Sequence, residues 1–179
     1  MYKVQVTDAS AIDAFNRLIA FGENPQGALL AIGETVLLPF TRERFTTSTD
    51  PYGEPWEQNS DTTLRAALHR SGKNFTKKGA LSKRGTAVLA GKKPLIGESK
   101  SLSTQFAYRV IGDDMVTLSS LMVYAAMQNF GGSKAEFPNL WGDIPARQIF
   151  PDQERGLPGE VQSGIKDVLR EALENAKNG

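Results

Sequence analysis

The segment from Phe106 to Leu121 constrains the fold more than any other part of the chain. Apolar and polar side chains alternate from Phe106 to Ile111, a Gly-Asp-Asp turn follows, and the alternation resumes from Met115 to Leu121. Alternation on both sides of a short turn is the pattern of a β-hairpin. The sheet of this protein is therefore predicted to be antiparallel.

Helical patterns fill much of the remaining chain. Apolar residues recur at helical spacing over 12–22, 24–40 and 61–70, over the short stretch 123–130, and again from Pro158 onward. Asn24 is predicted to cap the second helix, Pro39 to kink it, and Ser60 or Asn59 to cap the third. Tyr2, Val4 and Val6 alternate with polar residues, which favours a short opening strand.

These elements predict an α+β fold. We expect a small antiparallel sheet that includes the β-hairpin, packed by N-terminal helices and by a C-terminal amphipathic helix. The 179 residues suit a single domain spanning 1–179 that buries a core of ordinary size.

Composition excludes several classes of function. The 21 basic and 20 acidic residues nearly cancel, so no overall field attracts nucleic acid or membranes. The absence of cysteine excludes disulfides, zinc thiolates and thiol nucleophiles. The single histidine, His69, ends a helical pattern, where a solvated side chain is the favoured reading over a metal ligand.

No membrane segment is predicted. The opening residues lack an apolar core of signal-peptide length, and no window reaches the length of a membrane-spanning helix. We therefore expect synthesis in the cytoplasm and no membrane partner.

The chain shows no convincing catalytic motif. The glycine-rich stretch Gly85–Gly91 has five residues between its glycines where a phosphate-binding loop has four, and Lys93 stands where that loop has Ser or Thr. Asp113 and Asp114 form a carboxylate pair, but aspartates in a hairpin turn usually bond turn backbone and face water. We predict no catalytic residue, metal or cofactor, and conclude that the protein is not an enzyme.

The stretch from about 70 to 100 is strongly basic. Nine Lys and Arg residues stand against one acid, Glu98, with five glycines between them and only weak periodicity. We expect a mobile loop, or one that a partner orders. It is a solvated loop, a loop facing an acidic neighbour, or a surface for phosphates. For DNA contact the candidates are Lys77, Lys78, Lys83, Arg84, Lys92 and Lys93.

The stretch from about 133 to 157 is predicted to be an extended docking arm. Pro145 and Pro151 cannot donate to a helix or a central strand, and each favours extended geometry in the residue before it. An extended, prestiffened segment loses less entropy on binding. The candidate interface residues are large apolar anchors and one arginine: Trp141, Ile144, Pro145, Arg147, Ile149, Phe150 and, from the earlier turn-rich loop, Trp56. In the alternative, the arm folds back on its own core and Arg147 joins an internal hydrogen-bond set.

Four motifs occur in order: DPYGEPW from Asp50, PLIGESKSL from Pro94, VYAAMQNFGG from Val123, and IPARQIF from Ile144. In order and spacing the chain resembles the Mu-like phage virion morphogenesis family, also called tail completion proteins, over roughly residues 1–175. Members tend to show Pro-x-Gly-x-x-Trp, Leu-x-x-Thr-Gly-x-Leu, Tyr-Ala-x-x-His-x-x-Gly and Pro-Ala-Arg-x-Phe. This chain departs at Met127, where the family usually has His, and at Glu98-Ser99, where it has Thr-Gly. A thioether cannot perform acid–base chemistry, so the family's His is not expected to be catalytic.

The resemblance implies a structural role in the virion. Such proteins complete or terminate the tail at its head-proximal end and prepare it for head–tail joining. By analogy we expect a homo-oligomeric, six-fold ring that contacts the tail tube protein and neck or connector proteins, with DNA in its lumen. Location is then the virion, after assembly in the host cytoplasm. The alternative is a nucleic-acid-binding neck or head-completion protein that uses residues 70–100.

Overall fold

A computed structural model describes residues 9–140 and 142–178. The chain divides into two compact units. The first contains the residues before Thr41, the segment Phe106–Ser119 and the residues after Pro151. The second contains Thr41–Gln105 and Ser120–Pro151. Each unit is therefore assembled from segments that are distant in sequence.

The described elements are, in chain order, α1 (Ala9–Glu23), α2 (Gln26–Ile32), a π-helical turn (Gly33–Leu37), α3 (Leu38–Thr47), α4 (Asp61–His69), a 3-10 turn (Gly72–Asn74), α5 (Lys83–Gly91), α6 (Ser101–Thr104), β1 (Phe106–Ile111), β2 (Met115–Ser120), α7 (Ala125–Phe130) and α8 (Gly159–Asn178). The two strands form one antiparallel hairpin. The predicted α+β class is confirmed.

Several predicted boundaries are confirmed by cap geometry. The Ser60 hydroxyl accepts from the Thr63 amide at the start of α4, which satisfies one of the unpaired donors of the first turn. Gly131 ends α7 with a φ of 73°, a backbone conformation that favours glycine. The predicted cap at Asn24 is wrong by one position, because Pro25 occupies the N-cap and provides no side-chain bond. The predicted strand at residues 2–6 lies outside the described residues.

The first unit packs α8 against α1 and α2, and α2 against β1. Gly33 allows the closest approach, because a Cβ atom there would lie 2.5 Å from the Tyr108 ring. The Arg17 side chain of α1 donates from Nε to the Ala176 carbonyl at 3.1 Å and from Nη2 to the Lys177 carbonyl at 3.0 Å. These carbonyls belong to the last turn of α8 and have no partner within their helix. Arg17 of α1 therefore caps the C-terminal end of α8.

The irregularity predicted around Pro39 takes the form of the π-helical turn that precedes it. The Leu38 amide bonds the Gly33 carbonyl five residues earlier. Pro39 has no amide hydrogen, so the ladder of helical bonds is interrupted at this place. The helix thus accommodates Pro39 by forming one wider, π-helical turn before it.

The second unit has a separate core. Its buried apolar side chains come from α3, the turn-rich loop, α4, α6, α7 and the extended segment: Phe45, Trp56, Ala67, Leu68, Leu102, Ala125 and Ile149. The segment from about 70 to 100, expected to be a loop, instead contains the 3-10 turn and α5. The Ser82 hydroxyl caps α5 by accepting from the Gly85 amide at 3.1 Å, and Gly85 is buried with room only for hydrogen beside the Asn74 carbonyl.

Candidate functional site

The extended segment is held against the end of α7. Ile144 and Gly132 exchange two backbone hydrogen bonds of 2.8 and 2.9 Å in an isolated antiparallel bridge. The Arg147 amide then donates to the Gln128 carbonyl at 2.8 Å. Gly131 makes this approach possible, because a Cβ atom there would lie 2.7 Å from the Ala146 nitrogen. The segment is therefore fixed by its backbone along most of the motif IPAR.

A buried asparagine continues this backbone pairing. The Asn129 Oδ1 atom accepts from the Ile149 amide at 2.8 Å and from the Phe150 amide at 3.2 Å. Buried amide groups need such partners, because an unpaired donor away from water is costly. Asn129 thus replaces a neighbouring strand for the two residues that follow Gln148.

Arg147 joins the extended segment to the loop that carries Trp56. Its guanidinium donates from Nε to the Glu57 carbonyl at 2.7 Å and from Nη2 to the Gln58 carbonyl at 3.0 Å. In return, the Trp56 indole N–H donates to the Gln148 carbonyl at 2.8 Å. The two segments clasp each other through side chains that each reach the other's backbone. We call this arrangement the Trp56–Arg147 clasp.

The Trp56 side of the clasp is itself rigidly built. The Asp50 carboxylate accepts from the amides of Tyr52 and Glu54, both at 2.8 Å, which closes the turn that leads to Trp56. The Trp56 ring meets Phe45 edge-on at 5.3 Å between ring centroids, a favourable geometry for aromatic pairs. The motif DPYGEPW is therefore a local fold that presents a buried indole.

The electrostatics of Arg147 are unusual. Its side chain is 8% exposed, and no described carboxylate lies within ion-pair distance of it. Burial lowers the pKa of the guanidinium, and the charge of Glu57 opposes this effect. In the described structure Nη1 has no hydrogen-bond partner, since only Nε and Nη2 donate. The result is a buried cation held by main-chain carbonyls.

Arg147 lines a cleft of about 380 Å³ in the second unit. This cleft brings together the motif IPAR and the end of the basic stretch, which the sequence treats as separate. It is lined by charged and amide side chains together with an apolar wall: Glu57, Gln58, Asn59, Lys92, Lys93, Gln128, Asp143, Arg147, Leu95, Ile96, Leu102, Tyr124, Ile144 and Pro145, among others.

The predicted interface residues separate into two groups. Trp56, Arg147 and Ile149 are buried within their own unit, Ile149 with no exposed surface at all. Ile144, Pro145 and Phe150 are half-buried, and Trp141 lies outside the described residues. In the isolated subunit the buried group is arranged as in the alternative in which the arm folds back, because the Trp56 indole and the Nε and Nη2 atoms of Arg147 bond main-chain carbonyls and Ile149 has no exposed surface. Whether a neighbouring subunit contacts the half-buried group stays a prediction.

The predicted DNA-contact residues also separate. Lys77 and Lys78 are exposed in a tight turn, and Lys83 and Arg84 are exposed in the first turn of α5. Lys92 instead donates from Nζ to the Ile96 carbonyl at 2.5 Å, as Lys93 does to the Thr46 carbonyl at the same distance. Lys92 and Lys93 are therefore bonded to main-chain carbonyls, although Lys93 remains exposed, and contact of the six residues with DNA stays a prediction.

Sequence reasoning did not identify Glu57, Gln58 or Asn129 as parts of the site. Glu57 and Gln58 contribute main-chain carbonyls, which leave no trace in side-chain identity. Asn129 could have been noticed, because an asparagine in the last turn of a helix that a glycine ends can bond nearby backbone. His69 is exposed at the end of α4, as predicted, and its ring lies 5.2 Å from that of Phe75.

Among residues 9–140 and 142–178, no group of three or more His, Asp or Glu side chains is placed to hold a metal ion. None of the helices in these ranges is long and apolar enough to cross a membrane. The described residues thus form a small α+β protein. Its candidate functional site consists of the Trp56–Arg147 clasp and the adjacent cleft, which is lined by charged and apolar side chains.

The chain belongs to the phage virion morphogenesis family, whose family model matches residues 6–174. No curated protein and no solved structure shows a significant match to the chain. Membership gives the protein a role in phage structure or assembly and associates it with the virion. It also indicates a structural rather than a catalytic role.

Proposed function

We propose that this protein completes the phage tail at its head-proximal end and prepares that end for joining to the head. Copies of the chain form a closed ring, and its neighbours are the tail tube protein on one side and neck or connector proteins on the other. Such a ring needs two different surfaces on each subunit, which meet when a rotation closes the assembly. Family membership supports the general role.

Exposed apolar surface is the observation that carries this proposal. Phe130 is 79% exposed and Phe137 is 47% exposed, and both line one hollow with Ile144. Large apolar side chains that are exposed together mark surfaces that a partner covers. Val123, which is 98% exposed on the approach to α7, extends the exposed apolar surface of this part of the chain.

The clasp explains how this surface keeps its shape. Arg147 and Ile149 are the buried residues of the extended segment, whereas Ile144 and Pro145 are half-buried and Ile144 shares a hollow with Phe130. A rigid apolar patch loses little entropy when a partner binds. The docking role therefore rests on the half-buried residues, and the buried ones act by holding them.

Deleting the gene from the phage tests the role. The expected result is separate heads and tails, or tails of uncontrolled length, and complementation in trans restores particles. Replacing Phe130 with Ser should leave the soluble subunit folded and abolish complementation, whereas Leu173→Ser, at a site of 44% exposure on α8, should complement. Normal joined particles in the deletion strain would refute the proposal.

A second candidate function is DNA binding through the exposed cations of the basic stretch. Lys83 and Arg84 stand in the first turn of α5, where the helix dipole disfavours positive charge, so their position suggests a use for them outside the fold. Binding would weaken with salt, with a slope of about 0.9 per phosphate neutralised. Replacing Lys77, Lys78, Lys83 and Arg84 with Gln should flatten that slope, while replacing Lys92 and Lys93 should change it little. An unchanged slope in the first variant would exclude this function.

A further inference from the structure

The cleft beside the clasp is lined by more cationic than anionic side chains. Three cationic side chains line it, those of Lys92, Lys93 and Arg147, against two carboxylates, Glu57 and Asp143. The Asp143 carboxylate already accepts the Lys134 amide at 2.7 Å. Arg147 is only 8% exposed and forms no ion pair with a carboxylate among the described residues. A buried, unpaired cation is costly to keep, so the cleft is suited to receive a carboxylate.

Apolar side chains also line the cleft and form what we call its apolar wall. Leu95, Ile96, Ile144 and Pro145 contribute to it, and all four are half-buried rather than enclosed. The volume of about 380 Å³ falls within the range of roughly 300–1,000 Å³ that is usual for small-ligand sites. The cleft therefore fits a short peptide segment that carries a carboxylate next to an apolar side chain.

The chain itself presents such a segment at the tip of the β1–β2 hairpin. Asp113 and Asp114 are exposed there, and no described cation pairs with either. The residues that flank the turn, Ile111 and Met115, are large apolar side chains at 46% and 48% exposure. Gly112 has a φ of 62° and holds the turn tight. This tip offers the charge and the apolar flanks that the cleft lacks.

We propose that the hairpin tip of one copy docks in the cleft of another. Asp113 or Asp114 faces the free edge of the Arg147 guanidinium, and Ile111 and Met115 pack on the apolar wall. The contact is heterologous, because tip and cleft are different surfaces, and contacts of that kind build rings or filaments. This contact specifies how copies would join in the proposed ring, and its role in the phage rests on that proposed function.

Site-directed cross-linking tests this contact directly, since the chain has no native cysteine. Met115→Cys places a thiol at the tip without removing either aspartate, and Ser99→Cys places one at the exposed rim of the cleft. The two purified full-length variants are mixed and oxidised under mild conditions. Leu173→Cys replaces Met115→Cys in the control, because its site has a similar exposure of 44% on α8 of the same unit.

The expected result is a mixed disulfide dimer that forms about tenfold faster with Met115→Cys than with Leu173→Cys. Adding Asp113→Lys and Asp114→Lys to the tip variant should lower its rate to that of the control, because like charges across an interface repel. Urea midpoints equal to that of the parent chain confirm that each variant is folded. Equal rates for the Met115→Cys and Leu173→Cys mixtures would overturn the proposal.

The outcome is separable from that of the proposed role in the tail. Absent cross-linking with a deletion strain that still yields unjoined heads and tails overturns the tip–cleft contact and leaves the role in place. Rapid cross-linking with normal particles in the deletion strain overturns the role and supports the contact as a property of the chain. The two results therefore answer different questions.

Discussion

Replacing Arg147 with methionine should destabilise the isolated subunit. The substitution keeps a long side chain in the buried space and removes the donors to the Glu57 and Gln58 carbonyls, at 2.7 and 3.0 Å. A hydrogen bond from a charged group contributes about 1.5–3 kcal/mol. Two of them give about 3–6 kcal/mol, from which the desolvation cost of the buried cation is recovered in part. Water reaching the two carbonyls from the cleft reduces the loss further, so we expect about 2–4 kcal/mol.

Urea denaturation followed by tryptophan fluorescence measures this loss. With a slope of about 2 kcal/mol per M, the unfolding midpoint should fall by about 1–2 M at constant slope. Arg147→Lys should lose roughly half as much, since an ammonium cannot fork between two carbonyls as a guanidinium does. The matched control is Arg170→Met on α8, whose arginine is 65% exposed and pairs only with Asp167; it should shift the midpoint by less than about 0.25 M.

A midpoint for Arg147→Met that matches the control would refute the structural role of the clasp. If Arg147 acted only by docking on a neighbouring subunit, its loss would impair assembly more than folding. The observed burial reverses that order: assembly should fail because the subunit is less stable, and the loss should already be measurable without any partner.

Two further predictions concern local packing and charge. Gly33→Ala should destabilise the first unit by about 1–3 kcal/mol, because its Cβ would meet the Tyr108 ring at 2.5 Å. The control Gly27→Ala has open space around the new Cβ, so it should be neutral or stabilise α2 by up to about 1 kcal/mol. Thermal unfolding of both variants measures the difference, and equal effects would contradict the prediction. Ser133 lowers the pKa of the Glu136 carboxylate by bonding its charged form, so the associated stability is present above the unfolded pKa and is lost as pH falls through the folded one. Ser133→Ala should raise the pKa of Glu136 in an NMR titration, and an unchanged value would contradict the assignment.

The sequence was sufficient to predict an element where its apolar periodicity and its capping residue indicated the same boundaries. The hairpin, α4 with its Ser60 cap and the amphipathic α8 follow from local patterns, and each is where it was predicted. Helix α5 was missed because two glycines and weak periodicity argue against a helix. The Ser82 cap could have been predicted from the sequence. The packing of Gly85 beside the Asn74 carbonyl, which offsets the poor helix propensity of this stretch, could not.

The candidate site was only partly predictable for a related reason. The prediction of an extended segment over about 133–157 holds for residues 143–149, whereas residues 134–136 and 153–155 form turns; the motifs correctly identified the family. The partners of Arg147 are main-chain carbonyls some ninety positions earlier in the chain, and carbonyls look alike at every residue. Lys92 and Lys93 line the same cleft as the motif IPAR because the second unit folds that way. No local sequence pattern indicates that they meet.

The capping of α8 by Arg17 bears on how the protein is made. The carbonyls that receive this arginine belong to Ala176 and Lys177, so these bonds between α1 and α8 can form only after residues 176 and 177 have been synthesised. A polypeptide that ends before α8 would leave uncovered the surfaces of α1 and α2 against which α8 packs, and we expect such a chain to be more open to proteolysis than the folded unit.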